Sequence, residues 1–226
     1  MSQSNSKIVL VSASPKVDQT MSVSSLFANY AKEKLHSSEL TVEIIAVRNV
    51  LLHHETDHAY EALQNADAIM FIFPLYFFCL PAMLTRFLQD FVAKYPTAQQ
   101  HNKVYAIVNC GFPEAGINLE AMRVLECFST QTMRTFLGGV MVGCGGMLIS
   151  AKDAPFMRPV FEKIDHLLER MIRDCKSDQP EKALTEQVEP KFPRNLYFFS
   201  GNAGWNASAR KNGLRIRDIK RKPYHM

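Results

Sequence analysis

Ala68-Ile-Met-Phe-Ile-Phe-Pro-Leu-Tyr-Phe-Phe-Cys-Leu-Pro81 is a continuous apolar run that passes into an aromatic loop. A second apolar run, Ile8-Val-Leu-Val11, passes in the same way into the polar loop Ser12-Ala-Ser-Pro-Lys16. Short uninterrupted apolar runs are typical of parallel strands that are buried on both faces. Both loops should therefore lie at the carboxyl ends of parallel strands, the edge at which open α/β sheets bind ligands.

Strand and helix patterns alternate five times along the chain, which predicts an α/β protein. Five units of this length fit a parallel sheet of strand order 2-1-3-4-5, with helices on both faces to give three layers. In this order the first and third strands flank the switch point, so the two loops should meet in one crevice. Beyond the two runs above, strands are predicted at Thr41–Val47, Val104–Asn109 and Phe136–Cys144, and helices at Ala59–Asn65, from Pro81, at Asn118–Thr132 and around Phe161–Ile172.

The last fifth of the chain differs from the rest in composition. We expect one domain over residues 1–175 and a C-terminal extension over 176–226, an arm or lid that ends in a basic tail. Residues 176–192 are charged, and Pro180, Pro190 and the following Pro193 interrupt the stretch, which indicates a linker or a surface arm. The aromatic residues that follow should dock on the domain, on a dimer mate or on the site.

The basic tail needs an explanation of its own. Residues 210–226 hold seven Lys or Arg and one Asp, and such a segment suits a nucleotide phosphate, RNA or an acidic partner. No recognisable nucleic-acid module accompanies it, so a solvated surface segment is expected and no nucleic-acid partner is predicted.

Cysteine usage and hydropathy predict a cytoplasmic protein. The five cysteines are scattered and form no C-x-x-C pair, which argues against a disulfide framework and against a zinc or iron–sulfur site. Residues 1–6 are polar and lack the apolar core of a secretory signal. The uncharged runs 68–85 and 135–151 are short and are interrupted by proline or glycine, so we interpret them as buried strands rather than membrane spans.

The loop after the first strand has the chemistry of a phosphate site. The helix that begins near Met21 should add free N–H groups and the positive end of its dipole. Serine and threonine at this point are equally suited to capping that helix, and the loop alone does not separate the two readings. Its side-chain donors and its cation are Ser12, Ser14, Lys16, Gln19, Thr20 and Ser22.

The aromatic loop after the third strand suits a flat ring. Because the two loops should converge, they predict a planar cofactor with a phosphate tail, and flavin mononucleotide (FMN) is the leading candidate. The rival motif His54-Glu-Thr-Asp-His58 spells the zinc pattern H-E-x-x-H. It follows an edge strand and has no evident third ligand, so we interpret it as a polar loop and predict no metal site.

Two sequence motifs resemble those of a known family. Ala13-Ser-Pro-Lys16 is similar to G-S-P-R, and Phe73–Ala82 is similar to S-P-x-Y-W-G-S-M-P-A. Phe87-Leu-Gln-Asp90 also resembles F-[IL]-D-R. These patterns belong to the flavodoxin-like family that contains NADPH-dependent FMN reductases, quinone reductases and iron–sulfur flavoproteins. The resemblance covers about residues 7–175.

The resemblance implies a flavodoxin-like fold, FMN as cofactor, NADPH as reductant and a homodimer. It implies that the phosphate is held by Ser12, Ser14, Lys16, Thr20, Met21 and Ser22, with Gln19 nearby. It implies that the isoalloxazine ring lies along Pro74, Leu75, Tyr76 and Phe77. The loop of Asn109, Cys110, Gly111 and Phe112 would close the other edge of the ring.

The chain departs from the family pattern at three positions. Phe78 replaces the usual glycine, and it would cover the flavin, reshape the substrate face or block the site. Cys79 replaces serine. Lys16 replaces arginine, and its ammonium offers a point charge in place of the planar fork of a guanidinium. Residues 51–60 lack the cysteine triplet of iron–sulfur flavoproteins, so that cluster is excluded.

The function predicted from the sequence is an FMN-dependent oxidoreductase. It takes hydride from NAD(P)H and passes electrons to a small-molecule acceptor, namely a quinone, an azo or nitro compound, or free flavin. The flavin carries this chemistry, and no side chain is required as a catalytic acid or base for the first hydride step. The alternatives are an electron carrier or redox-sensing module without NAD(P)H turnover, and a relative that has lost flavin.

Overall fold

One parallel sheet of six strands forms the centre of the computed structural model, which describes residues 6–36, 40–98, 102–177, 179–222 and 224. The strand order is β2-β1-β3-β4-β5-β6. The strands are β1 (Lys7–Ser12), β2 (Thr41–Ala46), β3 (Ala68–Pro74), β4 (Lys103–Asn109), β5 (Thr135–Val142) and β6 (Leu184–Val188). The helices are α1 (Val23–His36), α2 (Val47–His53), α3 (Thr56–Gln64), α4 (Ala82–Lys94), α5 (Leu119–Gln131), α6 (Gly145–Ala151), α7 (Arg158–Cys175) and α8 (Arg194–Lys211).

The predicted three-layer fold and the strand order 2-1-3-4-5 are confirmed. The predicted count of five strands was one too low, because β6 pairs in parallel with β5 from Gly138 opposite Leu184 to Val142 opposite Val188. This strand lies in the stretch that the sequence analysis interpreted as a linker. Helices α2 and α6 were not predicted either, since each is only seven residues long.

The sheet separates two hydrophobic cores, and alternate residues of each central strand supply one core or the other. In β3, Ile69 and Phe71 belong to the core beneath α3, α4 and α5, whereas Met70 and Ile72 belong to the core beneath α1 and α7. All four side chains are fully buried. Burial on both faces explains why the strand has no polar alternation in its sequence.

A buried ionic cluster on α7 joins the sixth strand to the sheet. The Arg170 guanidinium donates hydrogen bonds to the carbonyls of Leu137 and Leu184, which belong to β5 and β6. The buried Asp174 carboxylate accepts the Tyr105 hydroxyl at 2.7 Å and the Glu181 N–H at 2.8 Å. Burial and this carboxylate raise the pKa of Tyr105. The Arg170 Nε lies 3.7 Å from the Asp174 carboxylate, and removing either partner of such a buried ion pair would leave the other charge uncompensated.

The chain divides into two compact units, Met1–Pro190 and Lys191–Met226. Residues 176–190, which the sequence analysis assigned to the extension, therefore belong with the sheet in the first unit. The second unit contains α8 and a short 3-10 helix at Ile216–Lys220, and it exposes Phe199 and Trp205. Residues 191–226 hold nine Lys or Arg and one Asp. The docking partner of this unit stays a prediction, as does its role as a lid.

Among the described residues, no helix is both long enough and apolar enough to cross a bilayer.

Gly138 is the position at which the attachment of β6 is most sensitive to substitution. Its φ is +89°, and an added Cβ would lie 2.1 Å from the Leu184 carbonyl oxygen. We expect Gly138→Ala to lower the free energy of unfolding by about 2 kcal/mol or more, since the backbone must shift or β6 must separate. Urea denaturation with amide hydrogen exchange of residues 184–188 measures both effects.

Gly201→Ala is the matched control for this substitution. Gly201 lies within α8 and nothing lies within 4 Å of an added Cβ, so alanine should leave stability unchanged or raise it slightly. Equal free energies for Gly138→Ala and the unmodified protein would contradict the role given to this glycine.

Candidate functional site

Backbone hydrogen bonds join the ends of four neighbouring strands into one rim. The Ala13 N–H donates to the Ile72 carbonyl at 2.9 Å, and the Cys110 N–H donates to the Val142 carbonyl at 3.0 Å. Asn109 joins the end of β4 to the end of β3. Its carbonyl accepts the Leu75 N–H at 2.7 Å, and its side-chain amide donates to the Phe73 carbonyl at 3.2 Å. The loops after β1, β3, β4 and β5 are thereby held side by side.

These loops enclose a cleft of about 280 Å³ at the carboxyl ends of β1 and β3. The loops after β1 and β3 therefore meet in one cleft, as predicted. Seven of the predicted cofactor-binding residues line this cleft: Ser14, Lys16, Pro74, Leu75, Tyr76, Asn109 and Gly111. Four further residues line it that the sequence analysis did not assign to the site: Val23, Ser24, Gly145 and Gly146.

Two buried serine hydroxyls lie in or next to the wall of the cleft: Ser24 lines it, and Ser12 lies two residues before the lining residue Ser14. Ser24 is 1% exposed and lies in the first turn of α1, and Ser12 is 4% exposed at the end of β1. Neither hydroxyl has a hydrogen-bond partner among the residues that the structure describes. Buried hydroxyls without partners are costly, so this pair fits a ligand that accepts hydrogen bonds beside the positive end of α1.

The remaining predicted phosphate residues are engaged in local hydrogen bonds. Ser22 caps α1 by accepting the Ser25 N–H at 3.1 Å, which is the capping role left open by the sequence. The Thr20 hydroxyl and N–H both donate to Asp18, and these bonds lower the pKa of that carboxyl. Gln19 accepts the Ser25 hydroxyl at 2.6 Å.

Met21 and Lys16 meet at the outer side of the same loop. Met21 is half-exposed, and its carbonyl accepts a 2.6 Å hydrogen bond from the Lys16 ammonium. The contribution of the loop residues 19–22 to phosphate binding stays a prediction, because they lie outside the wall of the cleft.

The opposite wall of the cleft contains Gly145, which packs closely against Asn109 and Cys110. An added Cβ at Gly145 would lie 2.9 Å from both the Asn109 side-chain oxygen and the Cys110 carbonyl oxygen. The Gly145 N–H already donates to that Cys110 carbonyl at 2.7 Å. A glycine is therefore required here, and the Gly143-Cys-Gly-Gly146 sequence was the available signal. The predicted Cys110 thiol is turned away, toward the carbonyls of Phe112 and Glu114.

The aromatic loop forms a tight turn with unusual backbone angles. The Tyr76 N–H donates to the Cys79 carbonyl at 3.0 Å, and the Cys79 N–H donates back to the Tyr76 carbonyl at 2.9 Å. The two central residues, Phe77 and Phe78, have φ values of 47° and 59°. Left-handed backbone costs an L-residue about 1–2 kcal/mol, which is why asparagine and glycine dominate such turns.

Phe77 and Phe78 lie outside the wall of the cleft, whereas Tyr76 of the same turn lines it. Phe77, predicted to lie along the flavin ring, is 98% exposed. Phe78 stacks against Phe112, the last of the predicted ring residues, with centroids 6.4 Å apart and planes 14° apart. The hypothesis of a lost flavin site requires Phe78 to fill the cleft. Phe78 is not among the residues that line the cleft, so the structure does not support that hypothesis.

The H-E-x-x-H segment does not form a single helix. His54 ends α2 in a left-handed conformation, with φ of 57°, and His58 lies in the separate helix α3. The His58 ring lies 3.7 Å from Glu43 of the edge strand β2. No group of three or more potential metal ligands occurs among the described residues.

The fold is that of a flavodoxin-like protein with a cleft at the carboxyl ends of its central strands. The sequence profile of the NADPH-dependent FMN reductase family matches residues 6–145. The chain belongs to this family. The predicted enzyme class, with FMN as cofactor and NAD(P)H as reductant, is thereby confirmed.

Several solved structures share this fold at low sequence identity. An NADH:FMN oxidoreductase in its apo form is 18% identical, with a TM-score of 0.59 over 85% of this chain and 98% of that one. An NAD(P)H:quinone oxidoreductase from Methanothermobacter marburgensis is 17% identical, with a TM-score of 0.55 over 78% and 100%. An FMN-dependent NADH-azoreductase from Bacillus anthracis in complex with FMN is 13% identical, with a TM-score of 0.54 over 74% and 99%.

Comparison with curated protein sequences gives a different result. None of them matches this chain.

Three cysteines with raised pKa values, Cys110, Cys144 and Cys175, are expected to be poor nucleophiles. Burial raises the pKa of Cys110, and it raises the pKa of Cys144 and of Cys175 to about 11. Because the thiolate is the reactive species, iodoacetamide at about pH 8 should modify the exposed Cys127 well before these three. Peptide mass spectrometry over a time course measures the order, and urea-unfolded protein, in which all five should react, is the control. Early labelling of Cys144 would overturn this prediction.

Proposed function

We propose that this chain is an FMN-dependent reductase of small organic acceptors such as quinones, azo or nitro compounds, or free flavin. The observation that carries the proposal is the unpartnered hydroxyl of Ser24 in the wall of the cleft, together with a second unpartnered hydroxyl at Ser12, two residues before the lining residue Ser14. A phosphate group would accept hydrogen bonds from both, and Lys16 would supply a countercharge from the rim. FMN has a phosphate at one end and a flat ring at the other, as this cleft requires.

The chain's own residues would bind and orient the cofactor. Pro74, Leu75 and Tyr76 would lie along the ring, and Gly111 and Gly145 would allow its other edge to approach the backbone. FMN, when bound, accepts a hydride from NADPH and donates electrons to the acceptor. For a quinone the sum is balanced, since the hydride of NADPH and one proton from solvent convert quinone to hydroquinone and leave NADP⁺.

We propose in addition a homodimer in the cytoplasm. The dimer is proposed from the family resemblance, and sedimentation velocity measures it. A reducing compartment is supported by the five cysteines, all of which are free thiols in the structure.

A visible spectrum of protein purified with added FMN tests the proposed function. We expect flavin bands that bleach when NADPH is added without oxygen and return when menadione, a two-ring quinone, is supplied. Bands that persist after both NADPH and NADH would show a flavin-binding electron carrier instead. Protein that retains no flavin would contradict the proposal altogether.

Ser24→Ala tests the phosphate end of the cleft. We expect the Kd for FMN to rise about tenfold or more, because a hydrogen bond to a charged group contributes about 1.5–3 kcal/mol. The free energy of unfolding of the flavin-free protein should not fall, because the hydroxyl has no partner there. Fluorescence titration of FMN and urea denaturation measure the two quantities.

Ser129→Ala is the matched control for Ser24→Ala. The Ser129 hydroxyl is also buried, but it donates to the Leu125 carbonyl at 2.8 Å within α5. Its removal should leave the Kd for FMN unchanged. Equal FMN affinity in Ser24→Ala and the unmodified protein would remove Ser24 from the site.

A further inference from the structure

The turn of Tyr76 to Cys79 retains a backbone conformation that its sequence makes costly. Both central positions are left-handed, and both are occupied by phenylalanine. Asparagine and glycine at these two positions would form the same turn without strain. Retained strain of this kind indicates that the side chains have a role that the turn itself does not require.

The side chains of this turn form an apolar patch in water. Phe77 is 98% exposed, Phe78 is 59% exposed, and Phe112 of the neighbouring loop is 50% exposed. Aromatic rings bury a large area when a partner covers them, so adjacent exposed rings mark a surface that binds something. The patch lies at the mouth of the cleft, because Tyr76 and Gly111, the chain neighbours of Phe77 and Phe112, line its wall.

Phe78 and Phe112 hold their rings in nearly parallel planes. Their centroids are 6.4 Å apart and their planes differ by 14°. A planar ligand that stacks on one of these rings therefore has nearly the right orientation to stack on the other as well.

The backbone that carries each of the two rings is held in place by hydrogen bonds. The Phe112 carbonyl accepts the Cys144 N–H at 2.7 Å, and the turn that carries Phe78 is closed by its two hydrogen bonds between Tyr76 and Cys79. A ligand that stacks here would meet surfaces that are already oriented, so little conformational entropy is lost on binding.

We propose that Phe78 and Phe112 form an aromatic clamp that binds planar aromatic acceptors, of which quinones are the best fit. The proposal rests on the proposed function and deepens it by naming the shape of the acceptor. Stacking recognises flat rings of any substitution pattern and gives no comparable contact to a non-planar or inorganic acceptor. Phe78, at the position where the family pattern has glycine, is then a specificity-determining residue.

Menadione binding to the oxidised, FMN-loaded protein without NADPH tests the clamp by calorimetry. We expect Phe78→Gly and Phe112→Leu each to raise the Kd for menadione at least tenfold, and Phe78→Tyr to keep it within about threefold. Steady-state KM for menadione should rise in parallel. An unchanged Kd in Phe78→Gly would overturn the proposal.

Met133→Gly is the matched control for the backbone effect. Met133 also has a left-handed φ, of 58°, and is 68% exposed, but it lies before β5 at the other edge of the sheet. Glycine should relieve strain at both positions, and only Phe78→Gly should weaken menadione binding. Equal weakening in the two variants would overturn the clamp.

Two further measurements distinguish the clamp from the proposed function and from a subunit contact. Ferricyanide reduction by NADPH in the unmodified protein tests the proposed function alone, because this acceptor is inorganic. If it fails, the menadione titration of the same variants, with FMN where it is retained and without FMN where it is not, still decides the clamp. Sedimentation velocity tests whether the patch is a subunit contact. Dissociation of a dimer by Phe78→Gly with unchanged menadione affinity would assign the rings to that contact and overturn the proposal.

Discussion

The parallel pairing of β1 with β3 is the constraint on which the site depends. From β1 the chain passes to β2 on one side, and from β3 it passes to β4 on the other side. The loops after β1 and β3 are therefore neighbours, and a crevice is left between them where the direction of the chain reverses. The bond from the Ala13 N–H to the Ile72 carbonyl fixes the register at this point. Because every strand is parallel, all loops with ligand-binding groups reach the same edge. The position of the cleft is therefore a property of the sheet and not of any one loop.

The central sheet could be predicted from sequence, and its sixth strand could not. Strand β3 is recognisable because both of its faces are buried, which leaves a continuous apolar run. Strand β6 is five residues long, and Thr185, Glu186 and Gln187 make it look like surface chain. Its place depends on the close approach at Gly138 and on the buried Arg170, contacts between residues distant in sequence. Periodicity reports only local pattern, so it misses elements that are held in this way.

At the site, sequence predicted the loops better than it predicted the side chains. The hydroxyl-rich loop was found, yet Thr20 bonds to Asp18 and Ser22 caps a helix, because short polar side chains bond first to nearby backbone and neighbours. Ser24 was missed because it lies inside α1, where a serine is usually taken for part of the helix surface. The departure at Phe78 was visible in the sequence, but its left-handed backbone and its parallel partner were visible only in the structure.

Strand β6 also protects the fold from edge-to-edge association. Without it, β5 would present unpaired N–H and C=O groups beside an apolar sequence that includes Val140 and Met141, and such an open edge is a template for aggregation. With β6 in place, the outermost strand is short and polar, and Glu186 on it is paired with Lys163 at 2.5 Å. The same short strand that escapes recognition in the sequence is thus what keeps the sheet from growing by addition of further chains.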